Sequence, residues 1–187
     1  MVGYSSFQVL RLYEKDIAKL RPHALVVYVG ENDWSDAWRY PDNAQPILRS
    51  SSKTIWRTLH RFAIYRALAT GLGGTGPMGP SEKTVSRVSP EDYKNNLLQL
   101  KTSAERHGAR VFFCHYLRVT PPRDCLENGY YPLPRGVDTI DTAVYLPRAC
   151  GDATKRFFMD GVHPTAEGAR LMAQAISDAL APVMRSR

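Results

Sequence analysis

No apolar run in this chain of 187 residues approaches the roughly 18–20 residues that a membrane-spanning helix requires. The opening residues, Met1-Val2-Gly3-Tyr4-Ser5-Ser6, do not pair a basic region with an apolar one, so they do not read as a signal peptide. Basic residues outnumber acidic ones, 25 to 18, giving a net charge of +7. They are scattered and form no run of five, which describes a solvated basic surface rather than the basic stripe of a nucleic-acid binder. Cysteine is scarce. Cys114, Cys125 and Cys150 form no C-x-x-C pair, which excludes a zinc ribbon or a thioredoxin-type dithiol. Cys114 lies within an apolar run and reads as a small packed hydrophobe. Cys125 and Cys150 lie in loop-like sequence, and whether they bridge stays open. His60, His107 and His115 lack ligand spacing, so neither a metal nor another cofactor is implied.

What is present is an ordinary globular composition, 43% apolar and 23% charged, in a chain long enough for one domain with a real core. Ser5 or Ser6 can cap a first helix that carries Leu10, Tyr13, Ile17 and Leu20 at helical spacing and stops at Arg21-Pro22. Ala24 to Val29 is an unbroken apolar run, the pattern of a strand covered on both faces of a parallel sheet. Ser89-Pro90-Glu91-Asp92 is a strong helix start, and that helix reaches about His107, closed by Gly108. Arg110 to Tyr116 and Val137 to Asp141 read as further strands. Residues 119 to 135 hold four prolines and read as an irregular loop. Pro164 is read as the start of a final helix with Ala169, Met172, Ile176, Leu180 and Val183 on its apolar face. Strands alternating with helices imply a parallel sheet with helices on both faces, its function collected at the carboxyl ends of the strands.

Between these elements lies a less regular insert, about 34–88. Ser52 to Thr70 reads as a basic amphipathic helix with Ile55, Leu59 and Phe62 on one side, suited to packing on its own domain or to a membrane or partner surface. Residues 71 to 80 contain a formal G-x-G-x-x-G, but a helix precedes it and Pro77 follows, so it reads as a linker rather than a dinucleotide fingerprint. Trp34, Trp38 and Tyr40 suit either an apolar or sugar-binding surface or internal packing.

Three short stretches carry chemistry. Asp160 and His163 flank a turn before the last helix. A histidine acting as base needs a carboxylate to fix its tautomer, and the same pair read blandly is a surface Asp and a helix-flanking His. Asn32 follows a buried strand, where its amide can serve as an oxyanion donor or simply cap a turn. Gly3 allows close approach of a ligand to its N–H, or it is a flexible chain end.

Taken together and in order, "GYSSFQ", "GENDWSD" and "DGVHPTAEG" resemble the SGNH (GDSL-type) hydrolase family, a resemblance that covers nearly the whole chain and is weakest over residues 119 to 150. Gly3 matches the family's second block, Asn32 its third, and Asp160 and His163 its fifth. The resemblance implies an α/β three-layer, flavodoxin-like domain spanning residues 1–187. It also implies ester hydrolysis by a Ser-His-Asp triad, with His163 as base, Asp160 as its orienting acid, and Gly3 and Asn32 in the oxyanion hole. Asp33 braces the Asn32 turn. The substrate is then a small-molecule, glycan or lipid ester, and no cofactor is called for. The family's first block, a Gly-x-Ser motif, should precede Gly3. Ser5 and Ser6 read as helix caps, and Ser35 follows Asn32 too closely to face the histidine. The expectation is therefore a fragment that begins inside the second block, without the first two strands or the nucleophile. Such a chain would be inactive by itself and poorly soluble or oligomeric through an exposed apolar edge. The bacterial branch it resembles points to an extracytoplasmic or membrane-anchored protein. The alternative is a binding protein on the same fold without turnover, for a carbohydrate or acyl ligand.

Overall fold

Ala24–Val27 (β1), Arg110–Cys114 (β2) and Asp138–Ile140 (β5) pair in parallel, in the order β1-β2-β5. Val26 lies opposite Phe112, and Phe112 opposite Asp138. The computed structural model describes residues 3–37, 41–42, 86–120, 125–146, 150–151 and 155–185. Parallel neighbours need a long crossover, and the one from β1 to β2 carries the helices α2 (Glu31–Trp34) and α3 (Pro90–Arg106). Side chains alternate along each strand, and both faces are covered, which explains the unbroken apolar runs. On one face Val27, Val111 and Phe113 pack with Leu10 and Tyr13 of α1 (Ser6–Lys15) and with Leu97 and Leu100 of α3. On the other, Val26, Phe112, Cys114 and Ile140 meet Ile176, Leu180 and Val183 of α4 (Ala166–Arg185). The expected helix–sheet–helix layering is therefore present. β1 is an edge strand of this sheet among the described residues, and its Leu25 and Val26 are only half-buried.

The helix ends follow from their capping residues. Ser5 and Gln8 form a reciprocal capping box: Gln8 N–H donates to Ser5 Oγ at 3.4 Å and Ser5 N–H to Gln8 Oε1 at 3.2 Å. Ser89 Oγ accepts from Asp92 N at 3.1 Å, with Pro90 at the first helical position. Gly108, at φ +81°, closes α3 as its sequence suggests. The first helix is shorter than the spacing implied. It stops at Lys15, a 3-10 turn takes over from Ile17 to Leu20, and Leu20 is 78% exposed. Asp16 leaves helical geometry at φ −127°, which rotates the following residues off the apolar stripe.

The region read as an irregular loop contains an antiparallel hairpin, Leu117–Thr120 (β3) with Cys125–Asn128 (β4). Each strand has only four residues, too few for alternation to stand out beside four prolines. Cys125 and Cys150 are joined by a disulfide across a separation of 25 residues, so the question left open by the sequence is answered, and Cys114 is buried and free. Behind the hairpin a second, smaller core gathers Leu117, Leu146, Phe157, Phe158 and Met172. The last helix starts at Ala166, not at Pro164. Pro164 instead bridges to Phe158, and Thr165 caps the helix through its hydroxyl to Gly168 N at 3.2 Å. The amphipathic helix read at 52–70, the glycine linker at 71–80, Trp38 and Tyr40 lie outside the described residues. No helix among the described residues is long and apolar enough to cross a membrane.

Candidate active site

Asp160 uses both carboxylate oxygens within its own turn. Oδ1 accepts from Val162 N and His163 N, each at 2.8 Å, and Oδ2 lies 2.8 Å from His163 Nδ1. The hydrogen bond from His163, followed by those from the two backbone amides, lowers the Asp160 pKa to about 2. An ionised Asp160 selects the tautomer with the proton on Nδ1, which leaves Nε2 as a lone-pair acceptor. No described residue occupies Nε2, and the imidazole is 61% exposed. The turn is held from outside as well. Met159 N donates to His163 O, Val119 N to Gly161 O and Thr165 N to Phe157 O, each at 2.8 Å.

The Gly3 and Asn32 segments are stitched together by side chains far apart in sequence. Asp33 is fully buried and accepts from Ser6 N at 2.9 and 3.0 Å and from Ser6 Oγ at 2.5 Å. Asn96 of α3 donates to the same hydroxyl at 3.0 Å. Arg87 donates to Gly3 O at 3.0 Å and to Gln8 Oε1 at 3.1 Å, while pairing with buried Asp42 at 2.9 Å. Asp33 therefore reaches beyond its own turn: it ties the start of α1, and with it Gly3, to the end of β1. Gly3 sits at φ +86°, where a side chain would be strained, and its N–H has no acceptor among the described residues.

Burial raises the Asp33 pKa to about 6, against the lowering effect of the Ser6 hydrogen bonds. The folded chain then holds a proton on Asp33 up to about pH 6, whereas the unfolded chain releases it near 3.8. Between those values the folded state binds more protons, so this group's contribution to stability falls as pH rises and levels off above the window. The change is on the order of 3 kcal/mol. Urea unfolding between pH 3.5 and 7.5 should show this decline, and Asp33→Asn should flatten it. A stability that climbs across the same window would mean that Ser6 holds Asp33 ionised throughout.

Gly3, Asn32 and His163 line one cavity of about 640 Å³, which runs along β1 from Leu25 to Gly30. Its lining also includes the polar residues Glu31, Tyr28 and Tyr116 and the apolar Leu25 and Val27 of β1 and Leu12 of α1. No serine lines it among the described residues. The Ser5 hydroxyl donates to Asp42 at 2.5 Å, the Ser6 hydroxyl serves Asp33 and Asn96, and both residues are buried, so they act as fastenings. Trp34 does not line the cavity. It stacks on Tyr130 at 4.1 Å between ring centroids, and Arg118 covers that tyrosine at 3.6 Å. Arg87, Asp42 and Asn96 escaped the sequence reading, and Ser6 was read only as a helix cap, because only the fold brings them together, across up to 90 positions.

An α/β protein with a three-stranded parallel sheet and this order of elements matches structures of GDSL hydrolases over nearly its whole length. A GDSL-like lipase from Bacteroides thetaiotaomicron VPI-5482 aligns with a TM-score of 0.55 at 18% identity, covering 97% of this chain and 73% of that one. A candidate acylhydrolase from Bacteroides fragilis NCTC 9343 aligns with a TM-score of 0.54 at 16% identity, covering 98% and 73%. At such identities the likeness speaks for the fold. No curated protein matches the chain. The family described as GDSL-like Lipase/Acylhydrolase matches residues 4–176, and the chain belongs to that family of ester hydrolases.

Proposed function

We propose that this site hydrolyses a carboxylic ester through a serine nucleophile, with His163 as general base and acid and Asp160 as the residue that orients it. One observation carries the reading: a single cavity is lined by Gly3, Asn32 and an imidazole whose Nδ1 is engaged by Asp160 while Nε2 is open. In the proposed reaction Nε2 takes the serine proton as the hydroxyl attacks the carbonyl carbon. The negative charge that develops on the carbonyl oxygen is held by the Gly3 N–H and the Asn32 amide. His163 then protonates the leaving alcohol. Water, activated by the same nitrogen, releases the acid and restores the serine. The nucleophile belongs to neither Ser5 nor Ser6, whose hydroxyls are committed to Asp42 and Asp33. The Cys125–Cys150 disulfide supports action in an oxidising, extracytoplasmic compartment.

The test is hydrolysis of short-chain p-nitrophenyl esters by the protein as its gene encodes it. Turnover is expected, and His163→Ala should lower kcat by about 10³-fold or more. A gene product with no Gly-x-Ser segment and no turnover would instead favour a ligand-binding protein on this fold. That second reading draws on the absence of a serine from the cavity lining among the described residues.

A further inference from the structure

Gly3 has little of its own to hold it. It has no side chain, it lies at φ +86°, and there is open space where a Cβ would point. A glycine so placed keeps more backbone freedom than any other residue. Yet an N–H that is to receive developing charge has to be aimed before the reaction begins, because such donors work by being preorganised. Among the described residues one hydrogen bond reaches Gly3: Arg87 Nη1 donates to its carbonyl oxygen at 3.0 Å. The carbonyl and the N–H are attached to the same Cα, so a fixed carbonyl limits the directions in which the N–H can point.

Arg87 is held on its own account. Its backbone is paired on both sides: Arg87 N donates to Ser35 O at 2.8 Å, and Asp42 N donates to Arg87 O at 2.6 Å. The next residue, Val88, is fully buried and donates to Asp33 O at 3.1 Å. Asp33 and Ser35 follow Asn32 closely, so one short stretch of backbone pairing carries both Arg87 and the segment of the second oxyanion donor. The guanidinium is engaged on several sides. Nη2 pairs with Asp42 Oδ2 at 2.9 Å and donates to Gln8 Oε1 at 3.1 Å, and Nε reaches Asp42 Oδ1 at 3.4 Å. The Asp42 side chain is 3% exposed and also accepts from the Ser5 hydroxyl. A planar fork can serve these partners at once, whereas a lysine ammonium is a point charge on a flexible stem.

We infer that Arg87 is a positioning residue for the hydrolysis: through Gly3 O it fixes the Gly3 N–H relative to the Asn32 amide, so that both donors meet one oxyanion. This rests on the proposed ester hydrolysis. Arg87 is absent from the lining of the cavity that holds Gly3, Asn32 and His163, so it acts on the reaction through Gly3 and not by touching the substrate. The shape of the guanidinium matters as well as its charge.

The test combines NMR relaxation with steady-state kinetics on the protein as its gene encodes it, labelled at glycine. In Arg87→Lys the order parameter of the Gly3 amide should fall from about 0.85 to below about 0.6, while that of Gly108, at the end of α3, stays unchanged. On p-nitrophenyl acetate kcat should fall by at least about 30-fold, a part of the roughly 10²–10³ that a lost oxyanion donor costs, with KM within about threefold of the parent. Should the lysine variant not fold, Arg87→Gln combined with Asp42→Asn carries the same expectations, since it leaves no buried charge unmatched. The inference is overturned by a Gly3 that stays as rigid as in the parent, by a kcat within about threefold of the parent, or by a loss expressed in KM alone. Failure of both variant proteins to fold overturns it too, by assigning Arg87 to the fold. A loosened Gly3 in a protein whose parent form turns over no ester would sink the hydrolase reading alone. Turnover indifferent to Arg87→Lys would sink the positioning role alone.

Discussion

Asp160→Asn is expected to lower kcat on a short-chain ester by about 10⁴-fold in the protein as its gene encodes it, with little loss of stability. The asparagine oxygen can keep the two backbone hydrogen bonds from Val162 and His163, so the turn should survive. Its NH₂ group, however, would face His163 Nδ1, where the carboxylate oxygen now lies at 2.8 Å. A donor meeting a donor forces the imidazole into its other tautomer, with the proton on Nε2 and no lone pair for the nucleophile. The comparison that isolates the effect is kcat beside the thermal midpoint. A large fall in kcat with an unchanged midpoint supports the orienting role. Wild-type kcat in the variant would remove Asp160 from the mechanism.

Gly168→Ala is expected to cost about 3 kcal/mol or more and to take most of the activity with it. Gly168 lies in the first turn of α4, and a Cβ there would fall 2.1 Å from Phe157 O and 3.0 Å from Phe157 C. Both are backbone atoms that no side-chain rotation can move. The helix would have to retreat from residues 156–158, breaking the Thr165 N to Phe157 O hydrogen bond that anchors the Asp160–His163 turn. Gly161, inside that turn, is the natural control. Its nearest neighbour is Val119 O at 3.6 Å, ordinary contact, so Gly161→Ala should cost less than about 1 kcal/mol. Urea unfolding of the two variants decides the matter, and equal stabilities would show that α4 shifts without consequence.

Local patterns made much of this protein legible. Ala24 to Val27 and Arg110 to Cys114 announced a sheet covered on both faces because their apolar runs are unbroken, and the cores on either side bear this out. Ser5, Ser89 and Gly108 announced helix ends because capping is decided within three or four residues. Asp160 and His163 were readable for the same reason, since the whole carboxylate–imidazole contact lies inside one turn. The β3–β4 hairpin was missed because strands of four residues carry almost no period, and prolines between and after them suggested a loop. The mesh of Ser6, Asp33, Asp42, Arg87 and Asn96 was hidden for a different reason. Each is an unremarkable polar residue until folding carries it into contact with the others, and no spacing rule joins Ser6 to Asn96.

The cavity is walled by two separately packed units. Gly3 and Asn32 belong to the segments that rest on the larger core of α1, α3 and the sheet. His163 belongs to the turn that rests on the smaller core of Leu117, Leu146, Phe157, Phe158 and Met172. Units of such unequal size open with unequal free energies, so amide exchange should sort the two walls into different protection classes, the histidine side exchanging first. The site can then lose its imidazole wall through a local opening while its opposite wall stays native. The fraction of molecules competent at any moment is governed by the weaker of two foldons rather than by the global stability of the chain.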